Sequence, residues 1–161
     1  MPFDPNAKDV TVAVVGTGTM GRGIIQVSAQ GGMRVIAYDE KDGAAAAAKD
    51  FIAKMLKGSV DKGRMTADEM KATLDRIIVA DQLAAVAHAN LIIEAIIERL
   101  DVKQELYAKL DAVCGPDVII ASNTSSLPIT AIAALCKKHP ERVGGMHFFN
   151  PVPLMKLVEI I

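Results

Sequence analysis

Three glycines and an aspartate offer the first chemistry in this sequence. The stretch VAVVGTGTMGRGI starts at Val12 and places Gly16, Gly18 and Gly21 in the pattern G-x-G-x-x-G. The first glycine of that pattern permits a tight turn, the second lets backbone approach a pyrophosphate, and the third lets a helix pack closely on a strand. Thr19 and Met20 lie between the last two, at the helix start whose unpaired amides would meet the phosphates. Asp39 follows Gly16 by 23 residues. A carboxylate there accepts hydrogen bonds from an adenosine ribose and repels an added phosphate, so the pattern predicts NAD over NADP. Lys41 softens that preference without reversing it. The competing readings are a glycine-rich turn in a degenerate fold and, for Asp39, a helix cap.

The elements around these residues form a repeating order. Residues 10–15 read as an apolar strand, the glycine turn opens a helix to about Gln30, and residues 33–38 read as a second strand closed by Asp39. That is the opening βαβ unit of a doubly wound fold. A helix over 42–60 and another from Thr66 to about Arg76 should form a hairpin inserted after the second strand and projecting from the sheet. Thr66 and Glu69 have the spacing of a capping box. Further strands are predicted at 77–79, 90–93, 118–121, 143–148 and 155–161, with a helical turn at 83–86 and helices at 101–113 and 129–135. Pro151 and Pro153 disfavour strand pairing between the last two strands, because neither donates an amide hydrogen. Residues 1–9 read as a loose leader. The fold class is α/β, a Rossmann-like, mostly parallel sheet with helices on both faces.

Composition agrees with one buried core and narrows the partners. Of 161 residues, 51% are apolar and none is tryptophan, which suits a parallel sheet rich in valine and isoleucine. With 18 basic and 19 acidic residues the net charge is -1, which gives no nucleic-acid surface. Lys137, Lys138 and His139 read as the solvated end of a helix. No apolar run approaches the roughly 18 residues of a membrane span, and no secretion signal is visible, so the cytoplasm is expected. Cys114 and Cys136 lack metal-ligand spacing and read as unpaired thiols. His88 and His139 have no partner pattern, so no metal site is expected.

His147 and Glu159 are the remaining candidates for chemistry. Imidazole titrates near neutrality and suits proton transfer, and a carboxylate on its far nitrogen would fix the tautomer. Spacing alone leaves the pair as readily unrelated. The segments LIIEAIIERLDVKQELYAKL, ASNTSSL and GGMHFFNPVPLMKLVEII, with the glycine motif, run through nearly the whole chain. Together they resemble the L-3-hydroxyacyl-CoA dehydrogenase family, which includes 3-hydroxybutyryl-CoA dehydrogenases.

That resemblance implies a Rossmann-like NAD domain followed by a largely helical domain. It also implies NAD-dependent oxidation of an L-3-hydroxyacyl-CoA to a 3-oxoacyl-CoA, as in β-oxidation, or the reverse reduction. His147 and Glu159 match the catalytic pair, and Ser125 matches a serine that contacts substrate and cofactor, with Ser126 as the neighbouring alternative. Asn150 matches a residue near the nicotinamide, its plainer role being to shape the turn before Pro151. Glu98 and Lys103 match cofactor contacts, against an ordinary surface ion pair, and Glu94 in the same motif reads as structural. Lys62 falls near the position of a basic residue at the CoA phosphates, against simple solvent exposure. Residues 1–161 are therefore expected to be the NAD-binding domain, lacking the C-terminal domain that carries the acyl pocket, a further asparagine and the contacts of a homodimer. The other functions compatible with the sequence are an NAD-binding sensor or structural domain and a dehydrogenase for a 3-hydroxy acid without CoA.

Overall fold

The computed structural model describes residues 9–161 together with Asp4 and Ala7, so the leader expected over 1–9 falls largely outside the described residues. The first half of the chain runs β1 (Thr11–Val15), α1 (Thr19–Gln30), β2 (Arg34–Tyr38), α2 (Ala44–Asp61), α3 (Ala67–Asp75) and β3 (Ile77–Ala80). The second half runs β4 (Leu91–Glu94), α4 (Leu100–Val113), β5 (Ile119–Ser122), α5 (Ile129–Ile132), β6 (Val143–Phe148) and β7 (Val158–Ile160). They form a seven-stranded sheet in the order β3-β2-β1-β4-β5-β6-β7. The first six strands are parallel and β7 is antiparallel to β6.

Strand alternation feeds two cores. Val12 and Val14 of β1 face one side and pack with Ile24 and Ile25 of α1 and Ile52 and Leu56 of α2. Ala13 and Val15 face the other side, where Tyr107 and Leu110 of α4 and Ile132 of α5 close over them. A strand buried on both faces needs apolar residues at every buried position, which β1 supplies from Val12 to Val15. Each fully buried isoleucine contributes on the order of 1.5–3 kcal/mol.

Local signals set the helix boundaries. The inserted hairpin is α2 followed by α3, and its inner face is packed rather than free, with Ala45, Ala48, Ile52 and Leu56 buried. The capping box at α3 is formed: the Glu69 amide donates to Thr66 Oγ1 at 3.1 Å, and the Thr66 amide donates to Glu69 Oε2 at 2.8 Å. Gly43, at φ +75°, precedes α2.

Four expectations shift. The last two strands pair antiparallel despite Pro151 and Pro153, because both prolines lie in the connecting loop and neither is asked to donate to the ladder. The strand predicted over 155–161 spans only Val158–Ile160. The amides of Leu154 and Met155 both donate to the Pro151 carbonyl, so this stretch coils before the chain can extend. The helix predicted over 129–135 ends at Ile132 and tightens into a 3-10 turn. Lys137, Lys138 and His139 are not merely a solvated helix end, because their backbone amides converge on the Asp111 carboxylate at 2.8, 2.7 and 3.2 Å. Arg142 Nη2 donates to the same carboxylate at 2.8 Å, and both side chains are buried. Burial would raise the Asp111 pKa, but the amides and the guanidinium outweigh it and hold it below 3.8. Cys114 and Cys136 are free and buried, and burial pushes both thiols up.

Two outcomes follow from this packing. A Cβ on Gly21 would lie 1.8 Å from the Gly16 carbonyl oxygen, so Gly21→Ala forces α1 off the turn. It should cost at least about 1–3 kcal/mol, read as a fall of several degrees in thermal midpoint. Asp111→Asn should cost about 3–5 kcal/mol near neutrality, because Arg142 stays buried without its counter-charge. The Asp111 contribution is present above the ordinary aspartate pKa and is lost as pH falls through the lowered folded value. Urea unfolding at about pH 7 and about pH 3 should therefore show the two proteins converging in acid.

Candidate active site

The strand order reverses at β1, which lies between β2 and β4. In such sheets the ligand crevice opens beyond the carboxyl ends of the strands at that reversal. The segments after β1, β2, β4, β5 and β6 carry most of the candidate residues, so they collect along one edge. Lys103 lies in α4, His147 within β6 and Glu159 on β7, and Lys62 stands just past α2.

At the glycine turn, protein contacts account for two of the three glycines. Gly16 has φ +92°, its amide donates to the Tyr38 carbonyl at 2.9 Å, and a Cβ there would lie 2.7 Å from the Ala95 carbonyl oxygen. Gly21 closes the helix onto Gly16. Gly18 is different: a Cβ there would meet nothing within 4 Å, and its φ of -65° suits any residue. The need for a bare backbone at Gly18 therefore points outward, to a ligand. Thr19 and Met20 begin α1, whose first turn holds no acidic residue and no side-chain cap. Its positive end is left available for an anion.

Asp39 is held rather than free. Its Oδ2 accepts from the Thr17 amide at 2.7 Å and the Thr17 hydroxyl at 2.8 Å, and its Oδ1 accepts from the Lys41 amide at 3.0 Å. The position before α2 belongs to Gly43, so Asp39 is not a helix cap. Beside Asp39 lies a cavity of about 410 Å³, lined by Gly16, Gly18 and Glu40 and walled by Leu83, Ile96 and Leu106. Thr17 was not singled out in the sequence. Its place inside the glycine pattern gave no sign that it would clamp a carboxylate 22 residues away.

A second carboxylate system links β4, α4 and β5. Lys103 is buried, and its Nζ donates to Glu94 Oε1 at 2.6 Å and pairs with Glu98 Oε2 at 3.3 Å. Glu98 and Lys103, expected as cofactor contacts, form an ion pair that is not the ordinary surface pair of the alternative reading, because its lysine is inside the protein with a second carboxylate. Glu94 also accepts from the Ile96 amide at 2.8 Å and from the Ser122 hydroxyl at 2.6 Å. Glu98 Oε1 accepts from the Thr124 hydroxyl and from the Ser125 amide at 3.3 Å. Burial would raise the Glu98 pKa, but the Thr124 hydroxyl and the Lys103 charge outweigh it and lower it. Ser125 is exposed, while the Thr124 hydroxyl accepts from the Leu127 amide at 2.9 Å and closes a turn; neither Thr124 nor Ser126 caps α5, whose N-cap is Pro128 with no side-chain bond.

His147 and Glu159 sit directly opposite each other on β6 and β7. Nδ1 of His147 lies 2.8 Å from Glu159 Oε2, and the imidazole is 18% exposed. The Phe149 ring stands 4.5 Å from the imidazole. Where β5 has ended, Asn123 Oδ1 accepts from the Phe148 amide at 2.8 Å and holds β6 in place. Asn150 and Lys62 line a separate cavity of about 680 Å³ with Arg22, Lys54 and Arg64. Arg22 stacks over the Phe51 ring at 4.0 Å. The loop carrying Asn150 also packs on α1, since a Cβ on Gly23 would lie 2.8 Å from Val152 Cβ. Among the described residues no group of three or more His, Cys, Asp or Glu side chains is placed to hold a metal.

The family profile described as 3-hydroxyacyl-CoA dehydrogenase, NAD binding domain, matches residues 11–161. The chain belongs to that family. It binds NAD, and the glycine turn, open helix end and Asp39 are the residues that fit the cofactor. It is 50% identical to a 3-hydroxyadipyl-CoA dehydrogenase of Escherichia coli K12 over 94% of its own length and 32% of that protein. It is 47% identical to a probable 3-hydroxybutyryl-CoA dehydrogenase of Bacillus subtilis, covering 93% of this chain and 52% of the relative. The crystal structure of an (S)-3-hydroxybutyryl-CoA dehydrogenase of Ralstonia eutropha superposes with a TM-score of 0.88 at 39% identity, covering 93% of this chain and 53% of that one. The chain thus spans from about a third to about half of the length of these relatives. No helix among the described residues is long and apolar enough to cross a membrane.

The contrast between Gly18 and Gly21 gives a direct test. Gly18→Ala should cost under about 1 kcal/mol of stability, as a helix N-cap change. It should weaken NAD binding by at least about tenfold, or 1.4 kcal/mol, measured by calorimetric titration beside a thermal melt.

Proposed function

We propose that this chain is the NAD-binding domain of an enzyme that oxidises an L-3-hydroxyacyl-CoA to the 3-oxoacyl-CoA, or runs the reverse reduction. The observation that carries the proposal is the cross-strand pair of His147 and Glu159 at the carboxyl edge of a sheet that also holds the NAD turn. Bound NAD supplies the hydride acceptor. With Nδ1–H donated to Glu159, Nε2 of His147 is the lone-pair nitrogen and takes the hydroxyl proton as the carbinol carbon gives up its hydride. Glu159 then stabilises the imidazolium, and in the reductive direction the same nitrogen returns the proton. Ser125 donates a hydrogen bond to the substrate oxygen, and Asn150 polarises the site from the loop after β6.

The wider roles follow from the same reading. Lys62, with Lys54, Arg22 and Arg64 in the larger cavity, receives the phosphates of CoA. Glu98 serves the cofactor side, and the buried Lys103 holds it there from within. A C-terminal domain completes the acyl pocket and the dimer contacts, and supporting it is the exposed apolar run Leu154, Met155, Leu157, Ile160 and Ile161. Two free, buried thiols fit work in the reducing cytoplasm.

Activity is best followed as NADH absorbance in the full-length protein, with L-3-hydroxyacyl-CoA substrates of several chain lengths. His147→Gln should lower kcat by about 10²- to 10⁴-fold, with NAD affinity within about threefold, and Glu159→Gln should lower it less. NAD binding without oxidation of any acyl-CoA would leave a sensor. Turnover of free hydroxy acids alone would remove CoA from the reaction.

A further inference from the structure

We infer that Glu94 is a positioning residue, which sets the substrate-facing Ser125 loop through Lys103 and Glu98. This rests on the reading of Ser125 given above. Glu94 is 0% exposed and Lys103 1% exposed, and neither touches the solvent side of the site. Burying two charges costs several kcal/mol per ion before their attraction is counted, so a pair whose only effect is stability is a poor use of these positions. Its geometry shows a different effect. One oxygen of Glu94 takes the Lys103 ammonium and the Ile96 amide, and the other takes the hydroxyl of Ser122, the last residue of β5.

Lys103 reaches onward to Glu98, and Glu98 takes the Thr124 hydroxyl, the Ser125 amide and the Ser126 hydroxyl. The loop from Ser122 to Ser126 is therefore held at its start by one carboxylate and along its body by another. The same lysine joins the two. Ser125 contributes only its amide to this clasp, and its hydroxyl stays exposed at the edge where His147 emerges. Removing the Glu94 charge frees Lys103 to draw Glu98 inward, and Ser125 moves with Glu98.

The test is a double-mutant cycle of Glu94→Gln and Ser125→Ala in the full-length protein. Each single variant should lower kcat by about tenfold or more, beyond any loss of NAD affinity at the Glu98 end of the clasp. The double variant should be little worse than the worse single one, because both act through the same hydroxyl. Additive losses, or a loss confined to NAD affinity, would overturn the inference. If Glu94→Gln does not fold, Ser122→Ala takes its place, since it cuts the tether to β5 without unpairing a charge. An inactive wild-type protein would count against the proposed reaction rather than the clasp. The Ser125 and Ser126 amide resonances then decide: they should shift in Glu94→Gln or Ser122→Ala while those of Val14 and Ile25 stay fixed, and unmoved resonances would reject the clasp.

Discussion

A strand covered on both faces can leave its sheet only at its end, and β1 leaves through Gly16, where there is no room for a side chain. Gly16 is pressed against the Ala95 carbonyl on one side and bonded to the Tyr38 carbonyl on the other, so the turn is fixed by the strands flanking β1. Everything at the cofactor end inherits its position from that contact. The helix starts where the turn releases it, Thr17 stands where it can grip Asp39, and the loop after β4 closes the cavity beside them. Tight packing makes such a turn two-valued: it is seated or it is not.

Carboxylates do the joining elsewhere, and they join backbone more than they join charges. Asp39 binds the glycine turn to the end of β2, Glu94 binds the ends of β4 and β5, Glu98 binds the loop after β5, and Asp111 gathers three consecutive amides ahead of β6. Asp39, Glu94 and Glu98 sit at or just past the ends of parallel strands, where the ladder can no longer satisfy the amides, and Asp111 reaches its three amides from α4. An ionised acceptor makes shorter and stronger hydrogen bonds than a carbonyl, which suits places that must stay rigid next to solvent.

The order of strands and helices was legible from hydrophobic runs, the glycine pattern and the Thr66 capping box, because these are local signals with a fixed period or spacing. The late strand was overestimated because Leu154 and Met155 are apolar but spend their amides on the Pro151 carbonyl. Glu94 and Lys103 were legible only as motif residues. Charged side chains nine positions apart, at a strand end and on a helix, read as surface, and nothing in their types shows that both are buried. The His147–Glu159 contact was hidden for another reason. It depends on the register of an antiparallel pair whose connecting loop contains two prolines, and the length of such a loop does not fix which residues face each other. The resemblance to a family supplied what spacing could not.

The missing side chain at Gly23 ties the two ends of the site together. Val152 occupies the space where a Cβ would be, so the helix that begins at the phosphate turn and the loop that follows the histidine strand share one volume. A larger residue on either surface is admitted only by a smaller one on the other. Descendants of this sequence therefore cannot retune the cofactor helix and the Asn150 loop as separate modules: drift at one position sets the substitutions tolerated at the other, and the two binding functions evolve under a common steric restraint.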